Sequence, residues 1–567
     1  MKKISLLILS GLFLMSCENT NVQQFDDYTP DINLQQDYSP IENNLTGQYF
    51  YLCKVWGFLK YHHPNLKNGN IDWDFELITK IKELNTGLTK KKYRKLLDDF
   101  ISKAGKIDKT QQAKDSRINL NWLNDTIFLS KNITTLLNNI SSERFQTTKN
   151  HYAQYTSLGT LSYENEKSYP RESIAQREYR LLLLFRYWNV IKYYYPYLDD
   201  LHTQWDKVLY DFIPDFLSQT DEKTFNLLVL KLTKKIEDSH VGVKSKVLED
   251  LRGKYYSNFE ASYIDSSIIV TGTRVKNEKS LARRGDKLLS INSHSVNELI
   301  DSLAIYISAS NKRVLLRDVL DQLFNSNQRF NTINLIREGD TIIINEEFYD
   351  GEKLWSQFVS EQRAYAKENA GELISDSIGY VKMDRIFENN QDMSFDWLFP
   401  ITKGMILDFR CYPHETTQNL IKKFITEDTY FANIIYPNTQ NPGSFKINPA
   451  KIESGKKDGN TVYRGQVILL VDEKTQSQAE YSVMAFQTVP NSITMGARTS
   501  GTDGNTTVIQ LPGEIKTKFT GTGVLYPTLK KTQRIGIIPD ILVERTFIGI
   551  KSGRDEVLEN AIIYLNN

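Results

Sequence analysis

Three runs of apolar residues in the second half of the chain constrain the fold more than any other feature. They cover residues 379–383, 404–408 and 466–471, and helical stretches lie between them. Short continuous apolar runs are typical of strands that are buried on both faces in a sheet covered by helices. We therefore predict an α/β core over residues 352–567.

The third run leads through a polar turn into Ser477 and an amphipathic helix. This order places Ser477 at a helix N-terminus, where unpaired backbone N–H groups and the helix dipole favour negative charge. Such charge develops when a hydroxyl attacks a carbonyl. Serine is also a common N-cap residue, so the position alone fits either a nucleophile or a cap. We interpret Glu480, one turn later, as a capping-box partner or helix anchor rather than a general acid.

The N-terminus has the composition of an export signal. Two lysines follow Met1, an apolar run extends from Ile4 to Met15, and Ser16 and Cys17 follow. The run is too short to span a membrane comfortably, and its end resembles the lipobox of bacterial lipoproteins. We predict a signal peptide over 1–17 with lipidation at Cys17, followed by a polar, flexible tether over 18–45. The alternative is an ordinary secretory signal with an incidental cysteine.

A chain of 567 residues exceeds a single hydrophobic core, and an internal repeat supports several folded units. Seven residues recur without gaps at one constant spacing. They are Trp56, Lys60, Tyr61, Pro64, Leu66, Trp73 and Asp74, followed by Trp188, Lys192, Tyr193, Pro196, Leu198, Trp205 and Asp206. We predict a duplicated helical unit, with one copy in 46–150 and the other in 171–252, whose aromatic residues pack between helices.

Short alternating strands indicate a β domain over 255–350. The stretch 284–292 resembles the Gly-Asp-x-Ile-x-x-Ile-Asn signature of PDZ domains, with Gly285 and Asp286 as its first two residues. PDZ domains bind extended peptides as an added strand at a sheet edge, so the resemblance implies peptide binding near Gly285 and Asp286. An unrelated small β domain is the alternative.

Charge and composition exclude several classes. The 70 basic residues balance 69 acidic ones and form no long basic run, which argues against nucleic-acid binding. The three cysteines lack the spacing of a zinc site or a disulfide framework, and the histidines are scattered. We expect neither a metal nor a cofactor.

Six short motifs occur in the order and approximate spacing of the tail-specific, or C-terminal processing, protease family. They are Asp238-Ser239-His240, Gly379-Tyr380-Val381, Ile406-Leu407-Asp408-Phe409-Arg410, Ser477-x-Ala479-Glu480, Thr499-x-Gly501 and Gly536-Ile537-Ile538-Pro539-Asp540. The resemblance extends from about residue 171 to the C-terminus. It implies a multidomain serine peptidase with a helical N-terminal region, a PDZ-like domain and a crotonase-like α/β core, in which Ser477 is the nucleophile.

The resemblance also implies the partners of Ser477. Many members use a lysine as base after the nucleophile, but residues 500–504 contain none. The tricorn-like branch uses a Ser-His pair from far upstream, which corresponds to Ser239 and His240. Its orienting glutamate corresponds to Gln533, whose amide can accept a hydrogen bond from the imidazole but cannot stabilise imidazolium as a carboxylate would.

The expected oxyanion donors are the backbone N–H groups of Gln478 and His414. The family's Pro-Gly-Gly is replaced here by Pro413-His414-Glu415, so the conformational freedom of glycine is lost although the backbone donors remain.

We therefore predict a serine endopeptidase that hydrolyses exported polypeptides and is anchored by lipid to the cell envelope, on a periplasmic or outer-membrane face. An inactive, PDZ-containing lipoprotein that only binds peptides is the main alternative, favoured by the missing lysine, by Gln533 and by His414. A surface glycan-binding lipoprotein is a third interpretation.

Overall fold

The computed structural model describes residues 41–106, 120–142, 150–276, 278–368, 371–386, 395–413, 417–454 and 462–567. The signal peptide with Cys17, and the tether up to residue 40, lie outside the described residues. None of the described helices is both long and apolar enough to cross a membrane.

The N-terminal region consists mainly of helices. Its helices are α1 Leu45–His62, α2 Pro64–Lys67, α3 Trp73–Glu83, α4 Lys90–Ser102, α5 Lys131–Ser142, α6 Arg177–Tyr194, α7 Trp205–Ser218, α8 Glu222–Lys234 and α9 Lys246–Leu251, and its strands are β1 Gln154–Tyr155, β2 Leu161–Ser162 and β3 Gly242–Lys244. Helices α1 and α6 are buried over most of their length because both pack at the centre of this region.

The two tryptophan pairs of the predicted repeat make the same contacts. The indole N–H of Trp56 donates to the carbonyl of Trp73 (3.2 Å), and the indole of Trp73 donates back (3.0 Å). Trp188 and Trp205 are joined in the same reciprocal way, at 2.7 and 2.9 Å. These four rings are buried, so they pack in the core as expected; the duplication itself stays a prediction.

The charged residues of the repeat form ion pairs and are buried, except for Lys192, which is partly exposed. Lys60 contacts Asp74 at 3.1 Å, and Lys192 contacts Asp206 at 3.5 Å. Arg186 also contacts Asp74, and its guanidinium donates to a backbone carbonyl of the C-terminal region, that of Gln510 (2.8 Å). Loss of one partner from such a cluster would leave a buried charge uncompensated, which is strongly destabilising.

A β domain follows. Its elements are β4 Tyr255–Ser257, β5 Phe259–Ile264, β6 Ser267–Thr273, β7 Lys287–Ile291, β8 His294–Ser295, α10 Val296–Ala304, α11 Lys312–Leu323, β9 Asn325–Ser326, β10 Phe330–Arg337 and β11 Asp340–Asp350. The strand order is β5-β6-β7-β10-β11-β4-β9, with β8 beside β7. Among the described strands β5 pairs with β6 alone, so it lies at the sheet edge, next to α11.

The C-terminal region is an α/β core with two small sheets. Its elements are α12 Gly351–Glu368, β12 Gly371–Ser375, β13 Ile378–Lys382, β14 Gly404–Asp408, α13 Thr417–Ile421, β15 Thr429–Pro437, β16 Phe445–Ile452, β17 Gln466–Val471, α14 Gln478–Phe486, β18 Ser492–Gly496, β19 Thr506–Leu511, β20 Ile515–Thr520, β21 Gly523–Leu525, β22 Ile541–Leu542, α15 Phe547–Lys551 and α16 Glu556–Asn566. The main sheet has the order β12-β13-β14-β17-β18-β22 and is parallel except for β12.

The three predicted buried strands correspond to β13, β14 and β17, at the centre of the main sheet. Helix α14 covers one face of the sheet and α16 the other, so both faces of the strands are buried. The chain thus combines helices with sheets as predicted. The domain boundaries and the PDZ assignment remain predictions.

One small sheet joins distant parts of the chain. Strand β3, from the helical region, pairs antiparallel with β20 of the C-terminal region, with Val243 opposite Thr517 and Gly242 opposite Lys518. Because His240 lies two residues before β3, this pairing brings the end of the helical region to the C-terminal core.

Candidate active site

Ser477 lies where the central strand β17 passes through a turn into α14. Its backbone has φ 57° and ψ −117°, in the left-handed half of conformational space that residues with a side chain rarely adopt. Its N–H donates to the carbonyl of Thr502 at 2.9 Å and also to Glu480 Oε2 at 3.2 Å. Backbone strain of this kind concentrates at functional sites, where the surrounding structure holds it in place.

Glu480 anchors the loop around Ser477. Its carboxylate is fully buried and accepts hydrogen bonds from several groups besides Ser477. These donors are the hydroxyls of Thr499 and Ser500 (3.0 Å) and the N–H groups of Gly501 (2.8 Å) and Thr502 (3.0 Å). Burial raises the pKa of Glu480, and the hydrogen bonds oppose that rise. These contacts match the helix anchor inferred from the sequence.

Gly501 allows this loop to approach the chain that follows it. Its φ is +67°, and a Cβ atom there would lie 2.8 Å from the carbonyl carbon of Arg534. Steric contact therefore explains why the Thr-x-Gly motif has a glycine at this position.

Tyr412 contacts Ser477 from the loop after β14. Its phenol is hydrogen-bonded to the side chain of Ser477. The tyrosine is 53% exposed, and partial desolvation of its phenol raises its pKa. Arg410 fixes the start of this loop through paired contacts to Asp408 (2.7 Å) and Asp555 (2.8 Å). His414 lies outside the described residues.

His240 is buried next to Thr520 at the end of β20. Its Nδ1 atom lies 2.8 Å from the Thr520 hydroxyl, and its backbone N–H donates to Asp238 Oδ1 at 2.9 Å. Burial lowers the pKa of His240 to about 4; the Asp238 charge opposes this shift and the Lys518 charge adds to it. The imidazole is therefore neutral at physiological pH, as a general base must be.

Ser239 belongs to a hydrogen-bond chain that leads to Ser477. Its hydroxyl accepts the N–H of Ser310 (2.8 Å) and contacts the Ser310 hydroxyl (3.1 Å). The Ser310 hydroxyl bonds in turn to the hydroxyl of Thr502, whose carbonyl accepts the Ser477 N–H. Sequence-distant segments are thus brought together, although no hydrogen bond joins the His240 imidazole to the Ser477 hydroxyl in the described part of the chain.

Gln533 does not orient the imidazole. It is buried, and neither atom of its amide has a hydrogen-bond partner among the described residues. The hydrogen bond predicted for Gln533 is made by Thr520 instead, because the pairing of β20 with β3 places Thr520 beside His240. Gln478 is the first residue of α14, directly after Ser477, as expected for an oxyanion donor.

Gly285 and Asp286 shape a turn rather than an open binding surface. Gly285 has φ +89°, and Asp286 is 1% exposed. The Asp286 carboxylate accepts the N–H of Arg283 (2.7 Å) and both arms of Arg337 (2.9 and 2.7 Å). A carboxylate that is buried and occupied in this way cannot contact a peptide, which corrects the role predicted for Asp286.

A cavity of about 830 Å³ separates the β domain from the α/β core. Strand β5 and helix α11 form its walls, and segments 472–474 and 543–545 also line it. Arg317 of α11 donates to the carbonyl of Glu473 (2.6 Å) and to the side-chain oxygen of Gln476 (2.7 Å). The wall of the cavity thus touches the turn that precedes Ser477.

The sequence analysis missed Thr520, Ser310 and Tyr412. Asp238 stood in a recognised motif, two residues before His240, but its contacts with Thr520 were not foreseen. No local pattern marks an isolated threonine on a strand; only the pairing of β20 with β3 would have identified Thr520. Within the described ranges no group of three or more acidic, histidine or cysteine residues could hold a metal ion.

Comparison with known proteins bears on the class of the C-terminal region. Residues 377–543 match the model of peptidase family S41. This match confirms the resemblance to the tail-specific protease family and indicates a protease, that is, a hydrolase. A comparison with curated proteins gave no match.

Several solved structures are similar to the chain at low sequence identity, and the likeness to mature CPAF concerns the fold alone. Mature CPAF in complex with lactacystin is 12% identical, with a TM-score of 0.51, over 69% of this chain and 97% of that one. The photosystem II D1 C-terminal processing protease is 14% identical, with a TM-score of 0.39, over 64% and 93% of the two chains. The tricorn protease is 15% identical, with a TM-score of 0.34, over 69% and 37%.

Proposed function

We propose that this protein is a serine endopeptidase in which Ser477 is the nucleophile and His240 the general base. The observation that carries the proposal is the hydrogen-bond chain from Ser239 through Ser310 and Thr502 to Ser477. It joins the segment of the base to the segment of the nucleophile, although a whole β domain separates them in sequence.

The chemistry follows from the two environments. The neutral imidazole of His240 takes the hydroxyl proton while Ser477 Oγ attacks a peptide carbonyl, and the resulting tetrahedral oxyanion forms next to the N-terminus of α14. The backbone N–H of Gln478 is the proposed donor to this oxyanion, with that of His414 as the second. Imidazolium then protonates the leaving amine, and water releases the acyl group by the same steps.

The cavity beside β5 is the proposed site where the polypeptide is gripped. An extended peptide can add to the outer edge of β5 as a further strand, because the backbone groups at that edge have no strand neighbour among those described. Gly285 and Asp286 support this PDZ-like arrangement through the turn they form. We also propose that the enzyme is exported and anchored to the cell envelope through Cys17, where exported polypeptides are its substrates.

A peptide-binding lipoprotein without activity is the second candidate. It is favoured by one observation: the Ser477 hydroxyl is bonded to Tyr412 rather than to the imidazole. Catalytic hydrogen bonds are often long or misaligned before substrate binds, so this geometry alone does not decide against catalysis.

A fluorophosphonate probe and an unfolded protein substrate decide between the two candidates. The wild-type protein should be labelled at Ser477 and should cleave the substrate, while Ser477→Ala and His240→Ala should do neither. Ser492→Ala and His294→Ala are matched controls away from the site and should behave as wild type. Undiminished cleavage by Ser477→Ala would overturn the nucleophile assignment, whereas an unlabelled, inactive wild type that still binds peptide would favour the second candidate.

A further inference from the structure

The hydrogen bonds around His240, the proposed base, determine where the hydroxyl proton of Thr520 lies. Three donors converge on the buried carboxylate of Asp238: the N–H of His240 (2.9 Å), the N–H of Thr520 (2.7 Å) and the Thr520 hydroxyl (2.9 Å). An ionised carboxylate only accepts hydrogen bonds, so the Thr520 hydroxyl donates its single proton to Asp238. The same hydroxyl lies 2.8 Å from His240 Nδ1 and can therefore only accept there.

We infer that Thr520 and Asp238 are positioning residues that hold His240 in the tautomer with the proton on Nδ1. This inference rests on the proposed function, since it concerns the base of that reaction. With Nδ1 donating to Thr520, the Nε2 lone pair is available for the proton of Ser477. The other tautomer would direct a proton at the nucleophile and could not act as base.

The fold supplies this arrangement through strand pairing rather than through a local motif. In the antiparallel register of β3 and β20, Gly242 is opposite Lys518, so His240 and Thr520 continue the two strands at the same level. The N–H of Thr520 also bonds to Asp238, which fixes the backbone as well as the hydroxyl. The imidazole is thus held by the neutral hydroxyl of Thr520, which is itself bonded to the carboxylate of Asp238. In the tricorn-like branch, a glutamate carboxylate is expected to orient the imidazole instead.

Thr517 offers a matched control on the same strand. It is buried like Thr520, but its hydroxyl has no hydrogen-bond partner among the described residues. Replacement of either threonine by valine preserves shape and removes one hydroxyl. A loss of activity or stability that both variants share is attributed to the disturbance of strand β20. A loss found only in Thr520→Val is attributed to the hydrogen bonds with His240 and Asp238.

The test compares Thr520→Val, Thr520→Ser and Thr517→Val in the full chain, with kcat, KM and thermal stability measured for each. We expect Thr520→Val to lose about 10- to 100-fold in kcat at unchanged KM, part of the roughly 10²–10⁴ that a general base supplies. Thr520→Ser should restore most of this loss, and Thr517→Val should match wild type. Nitrogen-15 shifts of labelled histidine, assigned with His240→Asn, should report a proton on Nδ1 in wild type and a mixture of tautomers in Thr520→Val.

Two failures can be told apart. If Ser477→Ala keeps its activity, the proposed function fails, while the nitrogen-15 shifts still decide the tautomer. If Ser477→Ala is inactive but Thr520→Val keeps both the wild-type kcat and the wild-type tautomer, the positioning role is overturned and the proposed function stands.

Discussion

The backbone conformation at Ser477 predicts that a residue with a side chain at this position lowers the stability of the fold. A φ of 57° with ψ −117° is readily adopted by glycine and is strained in a residue with a side chain. We therefore expect Ser477→Gly to be more stable than Ser477→Ala, although both lack the nucleophile. The comparison is made between the two variants because each has lost the same hydroxyl.

The magnitude follows from two contributions. A residue held in such a region stores about 1–3 kcal/mol, which alanine keeps and glycine releases. Ser477 also occupies an N-cap position, where glycine is favoured over alanine by roughly 0.5–1 kcal/mol even without strain. The free energy of unfolding of Ser477→Gly should therefore exceed that of Ser477→Ala by about 1.5–4 kcal/mol. The strain portion alone corresponds to roughly 2–10 °C in the melting temperature of a core of this size.

Thr546, the N-cap of α15 in the same core, serves as a control that separates the backbone strain at Ser477 from the ordinary N-cap preference. Its φ is −104°, so alanine and glycine there differ only by the ordinary cap preference. Thermal and urea unfolding of the four variants, followed by circular dichroism, gives the alanine-to-glycine difference at each position. The difference at Ser477 should exceed that at Thr546 by about 1–3 kcal/mol. Equal differences at the two positions would refute the strain argument.

Three further predictions concern the same site. Because burial lowers the pKa of His240 to about 4, kcat/KM should stay level from neutral pH down to about 5 and fall below about 4; an acid limb near 6.5 would contradict this. Glu480→Gln turns an amide N–H₂ toward backbone donors and should lower the free energy of unfolding by about 3–5 kcal/mol in urea titrations, whereas exposed Glu352→Gln should change it little. Tyr412→Phe releases the Ser477 hydroxyl and should speed its labelling by about 2- to 10-fold, the equivalent of one ordinary hydrogen bond; slower labelling would show that the phenol assists the reaction.

The central strands and the position of Ser477 at the start of a helix could be predicted from sequence because their signals are local. Strands β13, β14 and β17 are buried on both faces, so nearly every residue in them is apolar. This pattern predicts a strand even when the neighbouring strands are unknown. Ser477 follows from the order of strand, turn and helix within about a dozen residues. The Ser-His motif was likewise visible as three consecutive residues.

The neighbours of the base could not be predicted because they depend on long-range register. Thr520 reaches His240 only because β20 pairs with β3 across more than half of the described chain, and a shift of one residue would turn its side chain to the other face. For the Gly-Asp signature, the local motif was recognised, but the role predicted for it was wrong. The motif was recognised as a binding signature, but Asp286 is held by Arg337 in a buried turn, so the motif maintains the shape of the domain.

The same pairing makes the helical region part of the proposed active site. That region carries His240, and it is attached to the core by hydrogen bonds as well as by β3: the Tyr197 hydroxyl accepts the N–H of Val524 (2.7 Å), and Arg186 donates to the Gln510 carbonyl (2.8 Å). Both contacts join the segments that flank β20, the strand of Thr520. Displacement of the helical region would therefore separate His240 and Asp238 from Thr520, while Thr520, Ser477 and Glu480 would stay within the core. Integrity of this interface, rather than folding of the α/β core alone, is what the proposed chemistry requires.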